Sequence, residues 1–292
     1  MTRISFILSF TLLSVSLFAQ TINLKSKDAT RLKGKELIVI STGDDLMDEY
    51  LKEAVELKWI FNKNVTYMDL RSSNALVKKS PNKYVRLQLQ LTQATVVYTE
   101  NHGIHTFETS RSVYGDMMKV ILYEDNMERG KGFEISLPSN AIFSRGVAIE
   151  AIQRTCSVMN KIEEVGSWNK FFISTKKGGL TKLKDKILLV PMEYLENESD
   201  SIVMKEKYPY DIHFVPISAI YEKIEESDDN YAYFLVAEEL VNIHVHYVCA
   251  AIDSEVLGHY HKVVQLPNTI INGTRHLHIV PKVFNKLFKR LN

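Results

Sequence analysis

Two short unbroken apolar runs, at residues 37–40 and 187–190, each follow a polar segment of the chain. An uninterrupted apolar run of this length predicts a β-strand that is buried on both faces of a sheet. Similar polar segments precede the two runs, Thr30-Arg31-Leu32-Lys33-Gly34-Lys35 in one case and Thr181-Lys182-Leu183-Lys184-Asp185-Lys186 in the other. The similarity predicts two duplicated domains, because a solenoid would need at least three shorter units.

The ends of the two halves agree as well, since Leu137-Pro138-Ser139 and Leu266-Pro267-Asn268 each precede a helical stretch. The predicted fold class is therefore α/β (α+β), built as two tandem repeats of a small mixed-sheet module. Each module is expected to have the order β-α-β-α-β-β-β-α, with its helices mainly on one face. Module 1 covers residues 30–162, a connector covers residues 163–180, and module 2 covers residues 181–292.

In module 1, hydrophobic periodicity predicts a strand, a helix, a strand, a short helix, a meander of strands and a closing helix. Asp44 or Asp45 is expected to cap the first helix, because carboxylates at a helix start accept hydrogen bonds from unpaired N–H groups. The predicted strands are residues 36–41, 65–69, 84–91, 94–98, 117–123 and 132–135, and the predicted helices are residues 46–61, a short one from Ser72, and 145–162.

Module 2 repeats this order in shortened form. Between its first two strands, residues 199–207 have room for at most two helical turns, where module 1 has a long helix. Its predicted strands are residues 187–191, 211–215 and 231–236, followed by a hairpin at 241–264, and its predicted helices are residues 216–224 and 280–291.

The amino terminus predicts export. Arg3 precedes an apolar and small-residue run at residues 4–18, and Ala19-Gln20 follows. This order of charged region, short apolar region and small residue is typical of a signal peptide, here residues 1–19. The apolar run is too short for a membrane span, and no later segment is longer. We therefore expect a periplasmic or secreted protein of Gram-negative type whose mature chain has no transmembrane segment.

Charge excludes one class of partner. The chain has 36 Lys and Arg against 35 Asp and Glu, and removal of Arg3 with the signal peptide makes the numbers equal. A nucleic-acid-binding protein needs a basic surplus concentrated on one face. Nucleic acid is therefore not an expected partner.

Cys156 and Cys249 are the two cysteines of the chain. Cys156 lies beside the apolar stripe of a predicted helix, and Cys249 continues the pattern of a predicted strand. Both are therefore expected to be small core residues. A disulfide between them remains the alternative, since an oxidising compartment allows one.

Histidine is the residue type with the clearest candidate chemistry, because three His-x-His pairs lie in module 2. If Asp253-Ser254 forms a two-residue hairpin turn, Ile252 pairs with Glu255 and two histidine pairs converge on one face. Direct opposition of His246 and His261 would then allow a metal site, with zinc as the candidate ion. The default interpretation is a partly exposed polar sheet face without metal, because a shift of one residue separates the pairs. The candidate ligands are His244, His246, His259 and His261.

The predicted order of elements is a strand, a helix, a strand, a short helix and a meander, and the tip of the meander in module 2 reads Ala251-Ile252-Asp253-Ser254-Glu255-Val256. This arrangement resembles the small α/β modules of bacterial envelope proteins, such as the amino-terminal domain of TolB and the CsgG-like and LpoB-like modules. That resemblance implies a docking unit of envelope machinery without catalytic residues.

Hydrolase and nucleotide-binding signatures are missing from the sequence: it has no Gly-x-Ser-x-Gly, no His-Glu-x-x-His and no phosphate-binding glycine loop. We therefore expect a non-enzymatic binding scaffold without a cofactor, whose partner is another envelope protein. The alternative hypothesis is a metal-binding protein or a metal-dependent hydrolase that uses the His-x-His pairs.

Overall fold

The computed structural model describes residues 25–102, 105–124, 132–138, 142–167, 183–241, 244–253, 257–258, 263–264, 270–271 and 274–275, and positions 281 and 284. The predicted signal peptide and most of the predicted connector lie outside these residues. The fold is α/β, as predicted. Its helices are α1 (Ser26–Lys33), α2 (Asp45–Lys58), α3 (Leu70–Lys79), α4 (Arg145–Val165), α5 (Glu198–Lys207) and α6 (Ile217–Glu226).

The strands form two mixed sheets and one small hairpin. They are β1 (Glu36–Ile40), β2 (Val65–Met68), β3 (Tyr84–His102), β4 (His105–Tyr123), β5 (Gly132–Ser136), β6 (Ile187–Pro191), β7 (Ile212–Val215), β8 (Tyr231–Val241), β9 (His244–Asp253), β10 (Leu257–Gly258), β11 (Val263–Val264), β12 (Ile270–Ile271) and β13 (Thr274–Arg275). The first sheet has the order β2-β1-β3-β4-β5, and the second has β10-β9-β8-β6-β7, with β11 also paired to β9.

The two sheets share the pairing pattern of their parallel strands. In the first sheet Ile38 lies opposite Arg86, and in the second Leu189 lies opposite Tyr233. The neighbouring parallel strands agree in the same way, because Ile40 pairs with Met68 and Pro191 pairs with Val215. Each sheet therefore has a buried central strand, β1 or β6, between a short end strand and a longer strand. The duplication as such stays a prediction.

Helices lie on both faces of the first sheet. Ile38, Ile40 and Tyr84 form a buried cluster with Val77, so α3 covers this face. Adjacent strand residues point to opposite faces, so Val39 and its partner Tyr67 belong to the other side. There Lys52 lies over the Tyr67 ring, which places α2 on that face. The Cys156 thiol donates to the Lys58 carbonyl oxygen at 3.5 Å, so α4 lies beside α2.

Several predicted boundaries were wrong. Residues 94–98 are not a separate strand, because β3 runs without a break from Tyr84 to His102, and β4 begins at His105 instead of residue 117. Helix α5 has 10 residues, more than the two turns predicted for this segment. Helix α1 was not predicted at all. Of the predicted closing helix at residues 280–291, positions 281 and 284 are described as helical, and Phe284 is fully buried.

The chain divides into two compact units. The first comprises Met1–Leu89, Val120–Ile135 and Ile152–Ile173, and the second comprises Gln90–Lys119, Ser136–Ala151 and Ser174–Asn292. The second unit thus includes the part of β3 from Gln90 onward, the part of β4 up to Lys119, and the first turns of α4. The domain limits deduced from the sequence remain a prediction.

Candidate functional site

The carboxyl end of β1 forms a tight polar loop around Asp48. This carboxylate accepts hydrogen bonds from the backbone N–H of Thr42 at 2.7 Å and from its hydroxyl at 2.8 Å, and also from the Ser41 hydroxyl. Gly43 has φ +85°, in the left-handed region that glycine adopts without strain. Asp44 caps α2 by accepting from the Met47 N–H at 3.0 Å, as predicted for this position.

The ionisation of Asp48 follows from these contacts. Partial burial raises the pKa of Asp48, but the hydrogen bonds from Ser41, Thr42 and Gly43 together outweigh it, so the pKa lies below its ordinary value. The carboxylate is charged at neutral pH and its oxygens accept hydrogen bonds within the loop. Asp48 therefore serves to hold the turn between β1 and α2.

In the second sheet, the acid that follows the first parallel strand caps a helix instead of holding its own turn. Pro216 stands at the N-cap of α6 and offers no side-chain cap. Glu193, from the loop after β6, accepts the Ile217 N–H with its two carboxylate oxygens at 2.9 and 3.1 Å. In the first sheet α3 is capped locally, because Asp69 accepts the Ser72 N–H at 2.9 Å. Both sheets thus use loop acids to cap helices.

A buried arginine lies beneath α3. Arg86, on β3, is 4% exposed, and its Nη1 donates to the Asn74 side-chain oxygen at 2.8 Å. Its guanidinium carbon lies 5.5 Å from the centre of the Tyr123 ring. The Tyr123 hydroxyl donates to Gln88 at 2.9 Å. Sequence periodicity placed Arg86 on one side of a strand with Tyr84 and Gln88, but it carried no signal that this side is buried.

The end strand β2 forms one edge of the first sheet, and β5 forms the other. Strand β2 pairs with β1 and with no other described strand. Thr66 and Tyr67 are exposed, and Tyr67 keeps 38% of its surface accessible. Large apolar side chains are also exposed just after β1 and β2, at Leu46 and Leu70. Burial and the nearby Glu56 raise the pKa of Tyr67 to about 12, so its ring is neutral at physiological pH.

Two of the four candidate metal ligands lie on described residues. His244 and His246 belong to β9, where they pair with Val241 and Glu239. His259 and His261 lie outside the described residues. Within the described part of the chain, no three His, Cys, Asp or Glu residues come together in a group able to hold a metal ion. The four-histidine zinc site stays a prediction.

The hairpin register proposed for this site was wrong. Ile252 pairs with Leu257 and not with Glu255, so the two-residue turn at Asp253-Ser254 does not form. Direct opposition of His246 and His261 would require Tyr247 opposite Tyr260, whereas Val264 lies opposite Tyr247. The turn is longer than predicted, and turn length sets the register of the strands that follow.

Cys156 is a buried free thiol, as expected of a small core residue. Burial raises the pKa of Cys156 to about 12, against the opposing effects of a backbone hydrogen bond from Ile60 and of Lys33. The nucleophilic thiolate is therefore not populated at physiological pH. Cys249 pairs with Val236 on β8.

Comparisons with known proteins identified no relative: no protein-family model, no curated protein and no solved structure matches this chain. Among the described helices, none has both the length and the apolar character that crossing a bilayer requires.

Proposed function

We propose that this protein is an exported envelope protein that acts as a non-enzymatic docking scaffold, and that it binds an extended segment of another envelope protein along β2. The observation that carries the proposal is the open edge of β2, with exposed apolar side chains at the ends of β1 and β2. The sequence supports export through Arg3, the apolar run and Ala19, and the resemblance to envelope docking modules supports a scaffold.

The hydrogen-bond pattern of β2 makes Tyr67 suited to strand addition. The Leu37 N–H donates to the Asn64 carbonyl, and the Ser41 N–H donates to the Met68 carbonyl. In a parallel ladder with these bonds, alternate residues of the end strand face the neighbour, so Thr66 and Met68 bond to β1. The N–H and C=O of Tyr67 then point away from the sheet, where an added strand would accept and donate.

The side chains of β2 agree with this use. Edge strands that avoid pairing commonly carry Lys, Pro or an inward charge. Val65, Thr66, Tyr67 and Met68 include none of these residues. Exposed Leu46 and Leu70 supply apolar surface beside the carboxyl end of the strand. Main-chain hydrogen bonds would provide affinity, and this apolar surface would provide contacts for alternate side chains of the partner.

Export is tested independently of docking. Cleavage after Ala19 leaves Gln20 as the first residue of the mature chain. Intact-mass measurement of protein isolated from its native host gives the mass of residues 20–292, with or without cyclisation of Gln20. A mass that retains residues 1–19 would contradict the envelope location.

Docking is tested by a pair of substitutions at one position. Tyr67→Pro removes the outward N–H and leaves the bonds between β1 and Thr66 or Met68 in place. Tyr67→Ala removes the ring and keeps the N–H. A photo-crosslinking amino acid at exposed Thr66, expressed in the native host, should yield a discrete adduct with a partner protein. We expect this adduct to persist in Tyr67→Ala and to be lost in Tyr67→Pro.

The crosslinker placed at exposed Glu206 on α5 is the matched control. The same adduct at Glu206 would indicate non-specific capture and would contradict docking at β2. An adduct at Thr66 that survives Tyr67→Pro would contradict strand addition. Circular dichroism of both Tyr67 variants checks that the fold is retained.

A further inference from the structure

Arg86 is a permanent cation placed inside the protein. A guanidinium keeps its charge at every physiological pH, and burial of an unpaired charge is costly. Arg86 is 4% exposed, under α3 and beside β4. Two contacts partly compensate for its burial, namely the amide oxygen of Asn74 and the face of the Tyr123 ring. Neither carries a full negative charge.

No carboxylate of the described residues forms an ion pair with Arg86. Its Nε–H is buried and has no hydrogen-bond partner there. The hydroxyl of Ser73, the residue before Asn74, is also buried without a partner in the described part of the chain. Asn74 uses its oxygen to accept from Arg86, which leaves its NH₂ group as a further donor. Among the described residues, the Arg86 Nε–H therefore lacks an acceptor, and the Ser73 hydroxyl, which can donate or accept, is unpaired as well.

The second sheet indicates that the backbone arrangement does not require this cation. Tyr233 lies opposite Leu189 as Arg86 lies opposite Ile38. On α6, the residues at the helix positions of Ser73 and Asn74 are Ile220 and Tyr221, and both are buried. The same strand pairing and helix placement thus exist with apolar and aromatic residues. The polar residues Ser73, Asn74 and Arg86 therefore have no polar counterparts of the same type at the matching positions of the second sheet.

We infer that Arg86 is the centre of a binding site for a carboxylate-bearing ligand. Because Nη1 is engaged by Asn74, the edge of the guanidinium that includes the buried Nε is the one that lacks an acceptor within the part of the chain that the structure describes. That edge presents two parallel N–H groups, the geometry that a planar carboxylate accepts with both oxygens. A carboxylate there neutralises the buried charge and satisfies the Nε–H. This inference does not depend on docking at β2.

The carboxylate has two possible sources, a small free acid or an acidic side chain of a polypeptide. The mature full-length chain, labelled with ¹⁵N at arginine Nε, is titrated with acetate and separately with N-acetyl-Ala-Glu-Ala-amide at constant ionic strength. We expect the Arg86 Nε–H resonance to shift and saturate, and the unfolding temperature to rise in parallel. Tighter binding of acetate indicates the small acid, and tighter binding of the peptide indicates the polypeptide.

Substitutions connect the response to this site. Arg86→Met keeps the volume of the side chain without its charge and should abolish the rise in unfolding temperature. Arg71→Gln, at an exposed position on α3, should retain the full response. Ser73→Ala should weaken carboxylate binding several-fold. If Arg86→Met does not fold, carboxylate binding is tested instead by the affinity of Ser73→Ala and by the shift of the Arg86 resonance in the native chain. An absence of saturable shift, or a full response in Arg86→Met, overturns the inference.

Discussion

At the residue scale, Gly146 determines how closely the start of α4 approaches α6. A Cβ atom at this position would lie 2.7 Å from both the Cβ and the carbonyl oxygen of Tyr221. Arg145 pairs with Glu225 at 3.2 Å beside this contact. Since the Tyr221 carbonyl belongs to a helix backbone, it cannot move aside without displacing α6. Glycine is therefore required here by the close approach of the two elements.

Gly146→Ala should reverse the usual effect of replacing a helical glycine. Gly→Ala normally stabilises a helix by about 0.5–1 kcal/mol, but here the clash should destabilise the fold by about 1–3 kcal/mol. Gly34→Ala is the control, because its Cβ would meet nothing closer than 3.7 Å and its φ is −80°. Denaturant unfolding of both variants measures the difference. A Gly146→Ala protein as stable as the parent would show that the contact is looser than described.

Asp48 provides a pH-dependent prediction. Asp48→Asn should lower the free energy of unfolding at pH 7 by about 1–2 kcal/mol, since charge-assisted hydrogen bonds from Ser41 and Thr42 are weakened. Because the folded pKa is lowered, this stabilisation is present above the unfolded pKa of about 4. It is lost as the pH falls through the folded value.

Unfolding experiments on the parent and Asp48→Asn between pH 7 and pH 2 measure this loss. The stability difference should shrink below about pH 4. Asp45→Asn, exposed in the first turn of α2, is the control, with an expected effect of about 0.3–1 kcal/mol from the helix dipole. A difference that stays constant to pH 2 would contradict the assigned hydrogen bonds.

At the scale of elements, α1 is held to the first unit by apolar burial and by polar contacts to the end of α4. Ala29 and Leu32 are fully buried. The Glu163 carboxylate accepts from the Thr30 hydroxyl at 2.6 Å and pairs with Lys33. The hydrogen bonds from Lys33 and Thr30 hold the pKa of Glu163 below its ordinary value.

Two single substitutions compare the contribution of apolar burial with that of the polar contacts of Glu163. Leu32→Ala should cost about 2–5 kcal/mol, because it leaves a cavity in a well-packed site. Glu163→Gln should cost no more than about 1 kcal/mol, because the ion pair is solvent-exposed. Denaturant unfolding of the two single variants compares them. A larger loss from Glu163→Gln would show that the polar contacts dominate the attachment of α1.

The metal hypothesis can be tested through the histidines of strand β9. Elemental analysis of the purified mature chain should show no stoichiometric zinc, because the two-residue turn on which the site depended does not form. Zinc titration by calorimetry should give only weak binding, unchanged in His246→Ala. Submicromolar zinc binding that His246→Ala abolishes would instead favour the metalloprotein alternative.

The predicted elements agree best with the structure where the pattern is local. The apolar run of β1 and the capped start of α2 at Asp44 were both predicted within a few residues. The length of β3 was not, because its continuation beyond Leu91 depends on pairing with the next strand, β4, whose early start at His105 was also missed. Helix α1 was missed because its short polar sequence is stabilised by contacts with α4, about 130 residues later.

At the scale of the whole molecule, the second compact unit includes a segment that precedes residue 174. Residues 136–151 belong to it, and within it Gly146 lies against Tyr221 of α6. A fragment of residues 174–292 would leave Tyr221, now 5% exposed, without this cover. We expect a fragment of residues 136–292 to unfold at a higher denaturant concentration than the fragment of residues 174–292. Equal midpoints would show that the later segment forms its core alone.

The sequence by itself determined the α/β class, the buried strands β1 and β6, and a start of α2 capped by Asp44 or Asp45, because each depends on residues close together in the chain. It also placed Cys156 in the core. Only the tertiary structure decided which polar residues lie buried, as with Arg86, and which strand edge stays open, as with β2. It also decided the register beyond β9, where Val264 lies opposite Tyr247. Burial, open edges and register depend on strand pairing and packing between distant segments, and local periodicity carries no information about either.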